Sequence, residues 1–422
     1  MAVVVGLILL VTWLVARRTQ RGRPAVFRLI TIAAILYALQ AIVGAAQIWT
    51  QLAPWTQTLH VTQAALTWTA LVLAAVESWY AARVAVAASN GRGEAAPGGG
   101  GAPAEAGGSA GPTDAVVPSR TTTATIRAYV ALTKPRIIEL LLITTVPAMV
   151  LATRDLPGVD WADWGVLVFW TLLGGTLAAG SANAINQYLD RDIDSLMART
   201  RRRPLPANAV APENALLFGI VLGVVAVALL AWRTNLLAAF LTLLAIAFYV
   251  VVYTLMLKRT TTQNIVIGGA AGALPPVIGW AAVTGRVDLP AILLFAVVFY
   301  WTPPHFWALS LRIARDYAAA GVPMLPVVRG TAETTRQILL YTILLVAISL
   351  VTYAVARMGV VYLAAAVALG AIFVWQAARL ARAVTVEGTT AGAIRLYRYS
   401  ISYLTLLFAA VAVDALVVVR LG

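Results

Sequence analysis

Apolar stretches of about 20 residues, the length that crosses a bilayer as a helix, recur along this chain in two blocks. The first block predicts spans near 2–16, 29–49 and 60–82. The second predicts nine, near 137–153, 164–188, 213–232, 235–256, 264–284, 289–311, 336–356, 358–381 and 398–419. Between them, residues 89–119 (SNGRGEAAPGGGGAPAEAGGSAGPTDAVVPS) are rich in Gly, Ala, Pro and Ser and poor in bulky apolar side chains. A segment of that kind cannot bury a core and reads as a flexible linker. The pattern predicts an all-α polytopic membrane protein with a three-helix membrane segment over 1–88, a linker over 89–125 and a larger helical domain over 126–422.

Composition supports the membrane reading. The chain is 61% hydrophobic and only 11% charged, against about a quarter charged in soluble domains. Its net charge of +14 does not point to nucleic acid, because the basic residues lie in short loops between spans. Lys134 and Arg136 precede the first span of the second block, Arg199 and Arg201 to Arg203 follow the second, and Lys258 and Arg259 follow the fourth. Arg312 and Arg315 follow the sixth. The alternate loops carry single residues: Arg154, Arg233, Arg286 and Arg357. This asymmetry predicts a plasma-membrane protein, embedded in the lipid bilayer, with its charged loops in the cytoplasm. In the opening residues the basic charges follow the apolar core instead of preceding it, so they read as a retained or truncated helix, not a cleaved signal peptide. With no cysteine, disulfides and thiolate chemistry are excluded, and histidine is limited to His60 and His305.

Candidate chemistry is concentrated in NQYLDRDIDSLMARTRRRPLP, residues 186–206. Asn186, Asp190 and Asp194 are spaced four apart, which on a helix places them on one face. Adjacent carboxylates need a cation, and hard oxygen ligands suit Mg²⁺, which favours carboxylates, water and a substrate phosphate. Asp192 falls off that face. A solvated loop accounts for the arginines but not for the in-register acids. Two further polar clusters lie on the same predicted side: Tyr253, Lys258, Arg259 and Asn264, then His305, Arg312, Arg315 and Asp316. Together the three loops suggest one site for an anionic, metal-bound head group with its tail among the helices, as in a prenyl diphosphate.

Four motifs make the chain recognisable: Thr133-Lys134-Pro135-Arg136, Asn183-Ala-Ile-Asn186-Gln-Tyr-Leu-Asp190-Arg-Asp-Ile-Asp194, Tyr253 with Lys258-Arg259-Thr260, and Trp301-Thr-Pro-Pro-His305-Phe-Trp-Ala-Leu. They closely resemble the protoheme IX farnesyltransferase family, the haem O synthases among the UbiA-type intramembrane prenyltransferases. The stretch DYAAAGVPMLPVV extends the likeness, which covers about 126–422. It implies a nine-helix UbiA-type bundle, here preceded by about three extra helices. It also implies transfer of farnesyl from farnesyl diphosphate to haem B, with water addition, as a step towards haem A. By the same resemblance Asn186, Asp190, Asp194 and Asp316 would be catalytic and bind the metal, Mg²⁺ or Mn²⁺. Where the superfamily repeats an aspartate four residues after Asp316, this chain has Ala320. Lys258, Arg259, Arg199 and Lys134 would contact diphosphate, whereas Arg201 to Arg203 either supply further donors for that anion or do no more than fix the loop in the cytoplasm. His305 would be either a haem contact or a packing histidine hydrogen-bonded between helices, with Pro303 and Pro304 breaking the helix before it. The alternatives are a prenyltransferase acting on an aromatic quinone precursor, and a non-catalytic haem-binding or assembly protein.

Residues 28–76 resemble part of haem A synthase through Gln40, Gly44 and Leu59-His60. That family pairs histidines from two helices, and this stretch offers His60 alone. The resemblance implies haem ligation by His60 or a docking role beside a haem A synthase partner; the plainer reading is a membrane anchor.

Overall fold

The computed structural model describes residues 2–19, 24–49, isolated positions between 59 and 78, 121–154 and 156–417, and every element among them is helical. Helices α1 (Ala2–Thr19) and α2 (Pro24–Trp49) match the first two predicted spans. Ala16, Val26, Ile30 and Ala74 form a small core with them. Most of the third predicted span and all of 89–119 lie outside the described residues.

The larger unit opens with α3 (Thr122–Thr133), which starts inside the stretch assigned to the linker because Thr121 caps it, accepting the Ala124 N–H. Then follow α4 (Pro135–Ala152), α5 (Trp161–Leu189), the short α6 (Arg191–Leu196), α7 (Pro212–Arg233) and α8 (Leu236–Leu257). Next, α9 (Asn264–Ala273) and α10 (Pro275–Thr284) share one span. The chain continues through α11 (Leu289–Arg312), short α12 (Ala314–Ala319) and α13 (Leu325–Val328), then α14 (Gly330–Val355), α15 (Val360–Glu387) and α16 (Ala393–Val417). Among the described residues eight helical stretches are long and apolar enough to cross a membrane. The 18-residue α4 takes the place of the first predicted span.

Ends are set by local chemistry. Asp160 and Asn235 cap α5 and α8 by accepting the Ala162 and Ala238 N–H groups at 2.8 and 2.9 Å, the use for which short polar side chains are favoured there. In one place sequence reasoning expected a break and the structure has none. Pro303 and Pro304 lie inside α11, which runs on through His305 to Arg312. Two adjacent prolines remove only two backbone donors, and α9, α14 and α16 all pack against this helix; tertiary packing holds the turn that propensity alone would open.

Within lipid, helices gain nothing by hiding apolar surface from one another, so association depends on close packing of small residues. The contact of α5 with α7 shows it. A Cβ on Gly219 would lie 2.8 Å from Ile185 Cγ1 and 3.2 Å from the Ile185 backbone nitrogen. The bundle closes where α16 packs on both α4 and α11. At the end remote from the acidic run, Arg154 donates to the carbonyls of Ala356 and Arg357 at 2.9 and 2.8 Å and pairs with buried Asp414 at 3.3 Å. Asp414 also accepts the backbone N–H groups of Gly359 and Tyr362 at 2.6 and 3.1 Å, which caps α15. One ion pair thus fastens α4, α15 and α16 together.

Gly219→Val should overpack the contact just below Asn186, at a cost of about 1–3 kcal/mol. In detergent its thermal midpoint should fall, whereas Gly165→Val, where a Cβ meets nothing within 4 Å, should change it far less. Equal midpoints would contradict the close-contact account.

Candidate functional site

The site is assembled where α5 ends. Helix α5 stops at Leu189 and α6 starts at Arg191, with Asp190 between them at φ −96° and ψ 4°. Sequence reasoning expected one unbroken face, and the hydrogen bonding preserves it across the break: Asp190 N–H donates to Asn186 O at 2.9 Å and Asp194 N–H to Asp190 O at 2.8 Å. Asn186, Asp190 and Asp194 are all buried, the two aspartates completely.

Three neighbours fix this ridge. The amides of Asn183 and Gln187 on α5 donate to the last carbonyls of α3, Thr133 O at 3.0 Å and Leu132 O at 2.8 Å. Between α3 and α4, Lys134 sits in the left-handed region at φ 53°, an unusual place for a lysine and of the kind that clusters at functional sites. Its Nζ donates to Asn186 Oδ1 at 3.0 Å. The Asn186 amide in turn donates to Asp190 Oδ2 at 2.7 Å and to Thr254 Oγ1 at 3.2 Å.

Thr254 reaches that position because the last part of α8, Phe248–Leu257, is a π-helix. Sequence reasoning drew an ordinary α-helix here, and no residue in the stretch signals otherwise. The wider turn shows in the bonds from Thr254 Oγ1 to Tyr249 O and from Lys258 N–H to Tyr253 O, each spanning five residues at 2.8 Å. Such bulges shift helical register, often at functional sites. Here the shift delivers Lys258, whose ammonium pairs with Asp190 Oδ2. Gly268 on α9 makes room beside it, since a Cβ there would run into the Tyr253 ring.

Arg259 adds a second cation. It holds Asp192 in a two-pronged contact, 2.7 Å to each carboxylate oxygen, and donates to Leu189 O at 3.0 Å, with Asp190 Oδ1 at 3.5 Å. Asp192 therefore anchors Arg259, a part its off-face position concealed. Asp194 is paired with Arg203 at 2.7 Å. Sequence reasoning left Arg203 as either a donor to the anion or a topological charge, and a spacing of nine residues through an irregular turn offers no register from which to find this pairing. The other carboxylate oxygen of Asp194 is buried and has no hydrogen-bond partner among the described residues. Arg199 is exposed but close enough to Tyr253 for its charge to act there.

Electrostatics follow from this crowding. Burial, reinforced by the charges of Arg203 and Lys258, pushes the Lys134 ammonium down to about 7. Burial also works against charge on Lys258, but the Asp190 carboxylate overcomes it and raises that ammonium above the ordinary lysine value. For Asp192, partial burial opposes ionisation, yet the Arg259 hydrogen bonds and charge hold the carboxyl below its usual range.

Three expected members stand apart. Asp316 lies part-exposed on α12, and among the described residues no three Asp, Glu or His side chains converge as a preformed metal-holding group. His305 is buried between α11 and α16, with Nδ1 2.7 Å from Ser400 Oγ. His60 is half-buried in the N-terminal block, its Nδ1 without a hydrogen-bond partner among the described residues. At the charged end a cavity of about 540 Å³ is lined by Thr262, Gln263, Trp307, Arg329, Gln337 and Tyr341, with Leu325 and Glu333. The buried Trp307 Nε1–H there has no partner.

Residues 141–413 match the UbiA prenyltransferase family. A protein named protoheme IX farnesyltransferase from Parafrankia sp. (strain EAN1pec) is 57% identical over 290 residues, 69% of this chain and 90% of that one. One of the same name from Frankia casuarinae is 57% identical over 291 residues, 69% and 98% of the two chains. Among solved structures, one described by its work on digeranylgeranylglyceryl phosphate synthase covers 69% of this chain and 98% of its own, with TM-score 0.56 at 17% identity. The apo structure of a UbiA homologue from Aeropyrum pernix K1 covers 66% and 98%, with TM-score 0.52 at 21% identity. At those identities the likeness speaks for the fold.

Because Asp192 has a lowered folded-state pKa, its contribution to stability is present above the unfolded value and lost as pH falls through the folded one. Below about pH 4 the thermal midpoint of the parent protein should fall more steeply than that of Asp192→Asn. Parallel acid limbs would show that Arg259 does not hold the carboxylate in solution.

Proposed function

The chain belongs to the UbiA prenyltransferase family, and we propose that it transfers farnesyl from farnesyl diphosphate to a vinyl group of protohaem IX (haem B), with addition of water, giving haem O and diphosphate. The observation that carries this reading is the shared name of relatives 57% identical to it. The buried ridge supplies its chemistry.

In this reading the C1–O bond of farnesyl diphosphate breaks and its electrons leave with diphosphate. The haem vinyl π electrons then form the new carbon–carbon bond. Water adds to the resulting porphyrin-side cation and loses a proton. The chain's task is to stabilise the departing anion and keep water from the farnesyl cation until the vinyl group attacks. Lys258, Arg259, Lys134 and Arg199 bind phosphate oxygens, and Arg203 adds a further positive charge beside Asp194. The rings of Tyr249 and Tyr253, 5.3 Å apart, wall the first carbons of the tail.

A divalent cation, Mg²⁺ or Mn²⁺, suits the same ridge. The donors are hard oxygens without thiolate or imidazole, and Asp194 Oδ1 is buried without a partner. Asn186, Asp190 and Asp194 would hold the ion, with Asp316 joining from α12, and once bound it offsets charge on the leaving diphosphate. The cavity beside Trp307 supplies donors suited to an acceptor bearing carboxylates, as haem B does. His305 is assigned to the haem as an iron contact. Residues 126–422 form the catalytic unit in this proposal, with 1–88 a separate membrane segment passing product towards a haem A synthase. Catalysis takes place at the cytoplasmic face of the plasma membrane.

Haems extracted from membranes expressing each variant and separated by HPLC test the reading. Asp190→Asn and Asp194→Asn should each lower haem O by about 100-fold or more, while Asp192→Asn, at an exposed position, should lose far less. Undiminished haem O from Asp190→Asn would sink the diphosphate assignment. Prenylation of 4-hydroxybenzoate in place of haem B would replace the acceptor.

A further inference from the structure

We infer that Ser400 is a positioning residue for the haem acceptor: it fixes His305 with hydrogen on Nδ1 and so leaves Nε2 as the nitrogen that meets iron. This rests on the assignment of His305 to haem.

The argument starts from two residues one turn apart on α11 that grip the same residue of α16. Trp301 Nε1–H donates to the Ser400 carbonyl at 2.7 Å, and the His305 ring meets the Ser400 hydroxyl, also at 2.7 Å. The tryptophan contact sets where the Ser400 backbone lies, so the hydroxyl has little freedom to leave the imidazole. All three residues are buried, Ser400 completely. A serine hydroxyl has one hydrogen to give. Ser400 Oγ also lies 2.7 Å from the carbonyl oxygen of Tyr397, which can only accept. Both contacts form together only if Ser400 donates to Tyr397 O and accepts from His305 Nδ1–H. In the neutral imidazole the other nitrogen then carries the lone pair. Nε2 makes no hydrogen bond among the described residues.

Ring orientation is restrained as well. Trp301 lies against the imidazole at 4.2 Å and 23°, and Tyr397 at 4.7 Å and 31°. Imidazoles that bind metals are commonly held in this way, with the distal N–H tied to a partner that sets tautomer and direction.

Two measurements on the full chain test this. The protein has only two histidines, so ¹⁵N-histidine labelling, with His60→Ala to assign the pair, reads the His305 tautomer directly in the haem-free protein. Hydrogen on Nδ1 is expected; hydrogen on Nε2 overturns the inference without need of any Ser400 variant. Steady-state assays then compare Ser400→Ala, Ser400→Thr and His305→Ala in preparations whose KM for farnesyl diphosphate matches the parent. Ser400→Ala should raise KM for haem B by about 10- to 100-fold, the usual cost of losing such a partner, and Ser400→Thr should restore it. If His305→Ala impairs haem use and Ser400→Ala does not, the positioning role is wrong while the haem assignment stands. If His305→Ala leaves haem use intact, the assignment beneath it has failed.

Discussion

A carboxylate with no solvent exposure at the mouth of a membrane bundle must be met by cations, or it takes up a proton. Asp190 is met by Lys258 and Arg259 and receives the Asn186 amide as well. These partners come from different parts of the chain, so satisfying one side chain brings together α5, the end of α8 and the loop after it. Lys134 is drawn in through Asn186, and α3 through Asn183 and Gln187. Removing one partner of a buried pair costs about 3–5 kcal/mol, whereas exchanging a whole ionic group for apolar residues is often neutral or better. Stability therefore does not explain why this end of the bundle is built from charge. The proposed binding of an anion through a cation would.

The π-helical end of α8 is the device that makes the meeting possible. An ordinary α-helix would present a different face at Thr254 and Lys258, and neither would meet the Asn186–Asp190 pair in the same way. The wider turn needs space, which Gly268 gives by leaving the Tyr253 ring unobstructed. The contrast with the other end is instructive. There Arg154 and Asp414 satisfy one another and the surrounding backbone, and the pair closes the bundle as a structural fastening.

Much of this architecture is legible in the sequence, for physical reasons. Apolar length is decisive in a membrane, so the spans beginning near 164, 213, 235, 264 and 289 all appear in place. The four-residue spacing of Asn186, Asp190 and Asp194 exposes the ridge, because helical register survives even the break at Asp190. What stays hidden depends on contacts without a period. Arg203 reaches Asp194 through a turn, and Arg154 looks like a loop charge until its carbonyl and carboxylate partners are seen. The prolines of α11 mislead in the other direction, since a local breaking tendency is overridden by three packed neighbours.

Three buried oxygens at the charged end, Gln187 Oε1, Asp194 Oδ1 and Asn264 Oδ1, lack hydrogen-bond partners among the described residues, as does the donor Trp307 Nε1–H. Buried polar atoms are nearly always satisfied, so exceptions call for a cause. These three are acceptors, and their side chains are otherwise engaged: the Gln187 and Asn264 amides donate to backbone carbonyls, and Asp194 is paired with Arg203. Extra packing would leave the oxygens as they are, and a further anion would make matters worse. In the proposed reading a hydrated metal ion and its waters would serve these acceptors, and Lys134, Lys258 and Arg259 the phosphate oxygens that come with it. On that proposal the ridge would take the cation and the basic rim the anion it carries, as complementary halves of one site.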